Sequence, residues 1–273
     1  MSFFQNIAYE LRKHSILTIL LVVNIFLFFI INLDVSIFKF GLMNYMALPL
    51  NLNQFIAKFW TLFTYMFTHK DLGHVFYNML ILYFSSRLFL NLLPDKKLLY
   101  LYIMSGLSGG VILLLLSAIF PATFSSAFLF GASAAVMGIV MAMAVYTPDF
   151  PVNLFGAIEM RYKYVALLIF AISSIIDFNV NTGGKISHFG GAFFGLFFGY
   201  MLRNGKDISD FSFLRRKKKN TLKVVHSNRS KADTAESANQ QTIDMLLDKI
   251  SKNGYENLSK AEKELLFKLS QKK

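Results

Sequence analysis

Gly73-His74-Val75-Phe76-Tyr77-Asn78-Met79-Leu80 opens an apolar stretch that runs on to Leu90, and its reading decides the fold. A hydrocarbon core about 30 Å thick needs roughly 20 apolar residues of helix. The stretch is nearly that long, and Arg87 is its one charged residue. It reads as a transmembrane helix that carries His74 and Asn78 close to its start. Polar groups inside a span are costly, so both require a reason.

Reading outward in the same lengths gives five further spans: Ser15 to Leu33, Leu98 to Phe120, Phe130 to Tyr146, Tyr164 to Asp177 and Ile186 to Leu202. The fourth and fifth in chain order are short and need neighbouring helices around them. Composition agrees, because 55% of the 273 residues are apolar and 16% charged, against about 25% charged in a soluble domain. The expected fold is an all-α integral membrane bundle of six transmembrane helices. Without Cys there is no disulfide, no thiolate metal site and no cysteine nucleophile. Arg12-Lys13 before the first span suggests a signal peptide, but the apolar run is too long for one. Asn32-Leu33-Asp34-Val35 also offers no small-residue cleavage site, so a retained anchor is expected.

Loop charges set the orientation. With the N-terminus inside, the inner ends hold Arg12, Lys13, Arg87, Lys96, Lys97, Arg161 and Lys163, and the outer loops hold Lys39, Lys58, Lys70 and Lys185. Both termini are then cytoplasmic, and the expected location is the cytoplasmic membrane of a bacterial cell. Of the net charge of +12, +8 lies in residues 203–273. Arg215 to Lys219 follows the last apolar run closely, which favours anionic lipid over nucleic acid as its partner. The segment from Asp34 to Leu72, with Trp60, is rich in Phe, Leu, Met and Tyr and belongs at the outer interface. The chain thus divides into a cytoplasmic N-terminus (1–14), the bundle (15–205), a basic juxtamembrane segment and linker (206–240), and a cytoplasmic helical hairpin (241–273). In the hairpin, Thr242 to Lys252 shows helical spacing, and Ser259-Lys260-Ala261-Glu262 reads as a capping box.

Spans two, four and six share a direction, so their N-terminal ends lie at one depth in the outer leaflet. His74 and Asn78, Ser133, and His188 sit at those ends. His74 and Asn78 are four apart and face one way, where both can donate to a single point. A hydroxyl beside an imidazole is a nucleophile beside its base, and two further donors would hold the oxygen of a tetrahedral intermediate. That set suits acyl transfer, most simply amide hydrolysis. Each residue also has a plain packing role: Ser133 lies among Gly131, Ala132, Ala134 and Ala135, and His188 precedes the ladder Gly191, Gly195, Gly199. The two readings support each other, since a serine and a histidine on different helices meet only where the backbones come close. His69 is read as an interfacial residue outside the site, and Asp177 and Lys185 as solvated span ends. No ionisable chain continues toward the inner face, which weighs against a channel or transporter.

With these motifs in place, the chain resembles the rhomboid intramembrane serine proteases. Thr68 to Leu80 is similar to the family's second-helix motif, Gly131-Ala132-Ser133 to its nucleophile motif, and His188-Phe189-Gly190-Gly191 with Gly195 to its last-helix motif. The resemblance implies that Ser133 attacks the scissile carbonyl and His188 is base and then acid. It implies an oxyanion hole of His74, Asn78 and the Ser133 N–H, transmembrane protein substrates within the lipid bilayer, no metal or cofactor, and no third member of the dyad. Relatives usually have Gly where this chain has Ala134, adding a methyl where helices four and six meet. Many have an aromatic in place of Met137, a Trp-Arg pair in place of Trp60-Thr61, and Glu in place of Leu90. The alternative is a non-catalytic rhomboid-like protein that binds and escorts transmembrane helices. The hairpin's partner is unknown.

Overall fold

A computed structural model describes residues 5, 9, 12–124, 127–154, 158–174, 182–210 and 231–270. The chain divides into two compact units, Met1–Arg216 and Lys217–Lys273. The first unit is built from α1 (Ser15–Leu33), α2 (Leu72–Leu92), α3 (Asp95–Ile119), α4 (Ser133–Tyr146), α5 (Tyr162–Ser174) and α6 (Thr182–Arg203). Two short antiparallel ladders interrupt the helices. One pairs β1 (Leu48–Pro49) with β2 (Phe128–Leu129), and the other pairs β3 (Pro151–Leu154) with β4 (Ile158–Arg161). Otherwise this is an all-α membrane bundle.

Among the described residues, three helices are long and apolar enough to cross a bilayer: Ile16–Phe38, Leu72–Leu92 and Asp95–Ile119. Ser133–Tyr146 and Tyr162–Ser174 are shorter and apolar. Helix α4 has 14 residues and rises about 21 Å, less than the hydrocarbon core. Every residue from Ala134 to Met143 is buried, so α2, α3, α5 and α6 supply its surroundings. This helix starts at Ser133 and not at Phe130, because Phe128 and Leu129 are taken into the strand pair and Gly131 holds a left-handed φ of 115°.

The α4–α6 seam is the closest in the unit. Gly191, Gly195 and Gly199 face the carbonyls of Ala134, Gly138 and Ala142, and a Cβ on any of the three would collide with that carbonyl oxygen. Successive contacts are four residues apart on both helices, so one face of each is stripped to its backbone.

Between α1 and α2, a π-turn (Asp34–Phe38) leads into short helices Leu42–Met46, Leu52–Ala57 and Thr61–Thr64 and a 3₁₀ turn at Tyr65–Phe67. The buried Asp34 carboxylate accepts from the N–H groups of Phe40 (2.8 Å) and Leu42 (2.7 Å), fixing where the chain leaves α1. Phe40, Ile56, Phe59 and Trp60 on this segment are exposed. On the other side of the unit, Asp95 accepts from the Ile16 N–H (3.2 Å) and pairs with His14 (3.1 Å), joining the starts of α1 and α3.

The second unit holds α7 (Lys231–Asn253) and α8 (Lys260–Ser270). The first of these helices begins at Lys231, inside the stretch read as linker. Residues 231–241 offer nothing to bury, but Lys, Ala, Glu and Gln are good helix formers and carry the helix outward. The capping box forms as expected: Glu262 accepts from the Ser259 N–H at 2.8 Å, and the Ser259 hydroxyl accepts from the Glu262 N–H at 3.3 Å. Lys249 pairs with Glu262 at 2.6 Å. That lysine, with the Ser259 N–H, holds the Glu262 carboxyl down to about 2.

Candidate active site

The N-terminus of α4 is held by the segment before α2. The Gly131 N–H donates to the Tyr65 carbonyl at 3.0 Å, and the Ala132 N–H donates to His69 Nε2 at 3.3 Å. His69 is fully buried, and burial, with His74 beside it, pushes its imidazole down to about 3. A neutral ring accepting at Nε2 carries its proton on Nδ1. That Nδ1 is buried without a hydrogen bond of ordinary geometry, although the Phe67 carbonyl favours its N–H. His69, read from the sequence as interfacial, is thus buried against the start of α4, next to the candidate site. The signal that could have placed it was its distance of five residues from His74.

Two phenols hold this segment onto α3. The Tyr65 hydroxyl donates to the Gly106 carbonyl, and the Tyr102 hydroxyl donates back to the Met66 carbonyl at 3.1 Å. Asn24 of α1 donates to the Tyr102 oxygen at 3.2 Å and to the Leu20 carbonyl at 2.7 Å. Tyr65, Tyr102 and Asn24 are all fully buried. Gly106 makes room for this clasp, since a Cβ there would lie 2.7 Å from Met66 Cε. Sequence reading missed all three residues, because a lone Tyr or Asn in a span does not reveal its partner.

His74 lies over Gly131: a Cβ on that glycine would be 2.7 Å from His74 Cε1. Its ring meets those of His69 and Phe130 edge-on, with centroids 5.2 and 6.3 Å away. Asn78 is buried and donates one amide N–H to the His74 carbonyl at 2.9 Å, so only its second N–H is left for a ligand. Ser133 is half-buried at the first position of α4. The first return bond of the helix runs from the Val136 N–H to the Ala132 carbonyl. The N–H groups of Ser133, Ala134 and Ala135 thus belong to the open first turn, where a helix favours negative charge.

His188 is half-buried in the second turn of α6, with Nδ1 3.3 Å from the Ser174 hydroxyl at the end of α5. The neighbours of Ser133 and His188 meet at Gly109 of α3. A Cβ there would be 2.6 Å from Ala134 Cβ and 2.7 Å from the Ser187 carbonyl oxygen. Ala134 also lies backbone to backbone against Gly191. Its methyl therefore faces helix three and not helix six, and a glycine receives it. Met137 is buried and contacts the Ser173 hydroxyl at 3.7 Å. Thr61 is buried and donates to the Lys58 carbonyl at 2.6 Å, while Trp60 donates to the Tyr45 carbonyl at 2.9 Å. Leu90 is buried, and Lys185 is half-buried within the first turn of α6 instead of solvated beyond it. Asp177 lies outside the described residues.

Residues 57–205 match the family model described as Rhomboid domain. The chain belongs to the rhomboid family. The match in this rhomboid protein takes in the clasp segment, α2 to α6 and every candidate site residue. Residues 232–272, the hairpin, match a family of unknown function, DUF6576. No curated protein matches this rhomboid chain.

Proposed function

We propose that the protein is an intramembrane serine endopeptidase with six membrane spans and both termini in the cytoplasm, which hydrolyses peptide bonds in or near transmembrane segments of other proteins. The observation that carries the reading is the meeting of three helices at residues 131–134: His74 over Gly131, and Ala134 against both Gly109 and Gly191. Backbone contact of that kind brings helices near enough for a hydroxyl and an imidazole to share a proton.

On this reading the Ser133 oxygen bonds to the scissile carbonyl carbon while His188 Nε2 takes the hydroxyl proton. The Ser133 N–H, His74 and the second Asn78 N–H hold the oxyanion, where losing one donor costs about a hundred- to a thousandfold in rate. Collapse breaks the carbon–nitrogen bond, and His188 gives its proton to the leaving amine. Water then attacks the acyl ester with His188 again as base, the bond from the acyl carbon to the Ser133 oxygen breaks, and His188 returns the proton to that oxygen as the carboxyl product leaves. A start recessed within a short helix suits a substrate that unwinds out of the bilayer.

Cleavage of a model transmembrane substrate by detergent-solubilised protein tests this. Ser133→Ala and His188→Ala are expected to abolish it, and His74→Ala to weaken it. Labelling of the wild type by a fluorophosphonate, absent in Ser133→Ala, separates a protease from a protein that only binds spans. Cleavage at the wild-type rate by Ser133→Ala would remove this mechanism.

A further inference from the structure

The hydroxyl beside His188 does not stand alone. Ser174 Oγ lies 3.3 Å from His188 Nδ1 and 3.4 Å from Ser173 Oγ, and Ser173 Oγ lies 3.3 Å from the Phe170 carbonyl oxygen. A carbonyl only accepts, and each hydroxyl has one proton to give. With all three contacts hydrogen-bonded at once, the order is fixed: Ser173 donates to Phe170, Ser174 donates to Ser173, and the oxygen of Ser174 is left to accept from His188. Met137 Sδ, 3.7 Å from Ser173 Oγ, is the weaker acceptor and does not reverse that order.

We propose that Ser174 is a positioning residue for His188, a neutral third member of the site, whose accepting oxygen holds the imidazole with its proton on Nδ1 and its lone pair on Nε2. This deepens the protease reading and rests on it. A general base needs the nitrogen facing the nucleophile to be unprotonated, and fixing the wrong tautomer disables an otherwise intact site. The same oxygen faces the ring when Nε2 gains the serine proton, and meets the new positive charge with the negative end of a dipole. Ser174 is buried, so no bulk water replaces it. Part of the task given to a carboxylate in other serine hydrolases is here done by a relay of two hydroxyls ending on a helix carbonyl, with no charge to bury in the membrane.

Kinetics on the full chain in detergent, with the ¹⁵N spectrum of histidine-labelled protein, test this. Ser174→Ala is expected to lower kcat and the fluorophosphonate labelling rate about tenfold, the size of one lost hydrogen bond, with KM unchanged. Ser174→Thr, which keeps the hydroxyl, is expected to restore most of the rate, and Ser173→Ala to have a smaller effect than Ser174→Ala. The His188 resonance, assigned by its loss in His188→Ala, is expected to show the Nδ1–H tautomer in the wild type and a mixture in Ser174→Ala. Full kcat in Ser174→Ala, or an Nε2–H tautomer in the wild type, overturns the proposal. If the wild type neither cleaves nor labels, the protease reading fails by itself, and the tautomer still decides the role of Ser174.

Discussion

The two seams that converge on Ser133 are made in opposite ways. Between α4 and α6, side chains have been removed until Gly191, Gly195 and Gly199 rest on the carbonyls of Ala134, Gly138 and Ala142. Between α3 and the segment before α2, two of the largest side chains available, Tyr65 and Tyr102, cross, and their hydroxyls donate to the carbonyls of Gly106 and Met66. The first seam fixes distance by steric contact and the second fixes direction by hydrogen bonds. A lipid environment gives apolar side chains little reason to prefer one another, so close backbone packing and polar bonds are the two means left. The start of α4 has one on each side.

Breaking the contact seam is expected to have the largest effect. In Gly191→Leu the new side chain meets main chain, which cannot rotate away, so destabilisation is expected beyond the about 1–3 kcal/mol of ordinary overpacking. Thermal unfolding in detergent and complete loss of fluorophosphonate labelling would show it. Breaking the bonded seam is milder. Tyr102→Phe leaves the Met66 carbonyl without its donor and removes one of the two acceptors of Asn24, at a cost of about 1–3 kcal/mol. Since the fold survives that, labelling is expected to slow while the protein stays folded, and a double cycle with Tyr65→Phe would reveal whether the two phenols act together.

Acid probes the same side without changing any packing. His69 has a folded value of about 3 against 6.5 for the free group. The unfolded chain therefore binds more protons between those values. The His69 contribution is complete above about pH 6.5 and is lost as pH falls toward 3, by about 1.4 kcal/mol over the first pH unit. The thermal midpoint of the wild type should drop from pH 7 to 5.5 more than that of His69→Gln, whose side-chain oxygen still accepts from Ala132. Equal drops would mean that His69 is not held neutral. The smallest effect belongs to the hairpin, where an exposed ion pair replaces both devices. Glu262 is lowered to about 2, so its contribution is present above the usual carboxylate range and fades as pH falls through 2. Glu262→Gln should shift hairpin helicity by circular dichroism only slightly at pH 7, and less still near pH 2.

What could be read from the sequence follows the range of each interaction. Apolar length located the helices, and the three-glycine ladder announced a close-packed face. Which residues lie opposite the ladder depends on how α4 is rotated, and periodicity does not report that. For the same reason the methyl of Ala134 was expected toward helix six and is found against Gly109. The start of α4 depends on one glycine's φ, and the start of α7 on propensity without a buried face. Ser174 went unnoticed because a serine at a span end normally reads as packing. His69 was read as interfacial because a histidine beside Lys70 and Asp71 looks wet.

Gly109 has a mechanical consequence. A single added carbon there would strike the flank of α4, the flank of α6 and the hydroxyl of Tyr65. A tilt of α3 in a thinner or thicker bilayer would press on all three. On the protease reading, serine and histidine would then be displaced together, as a lens pair moves on a shared mount.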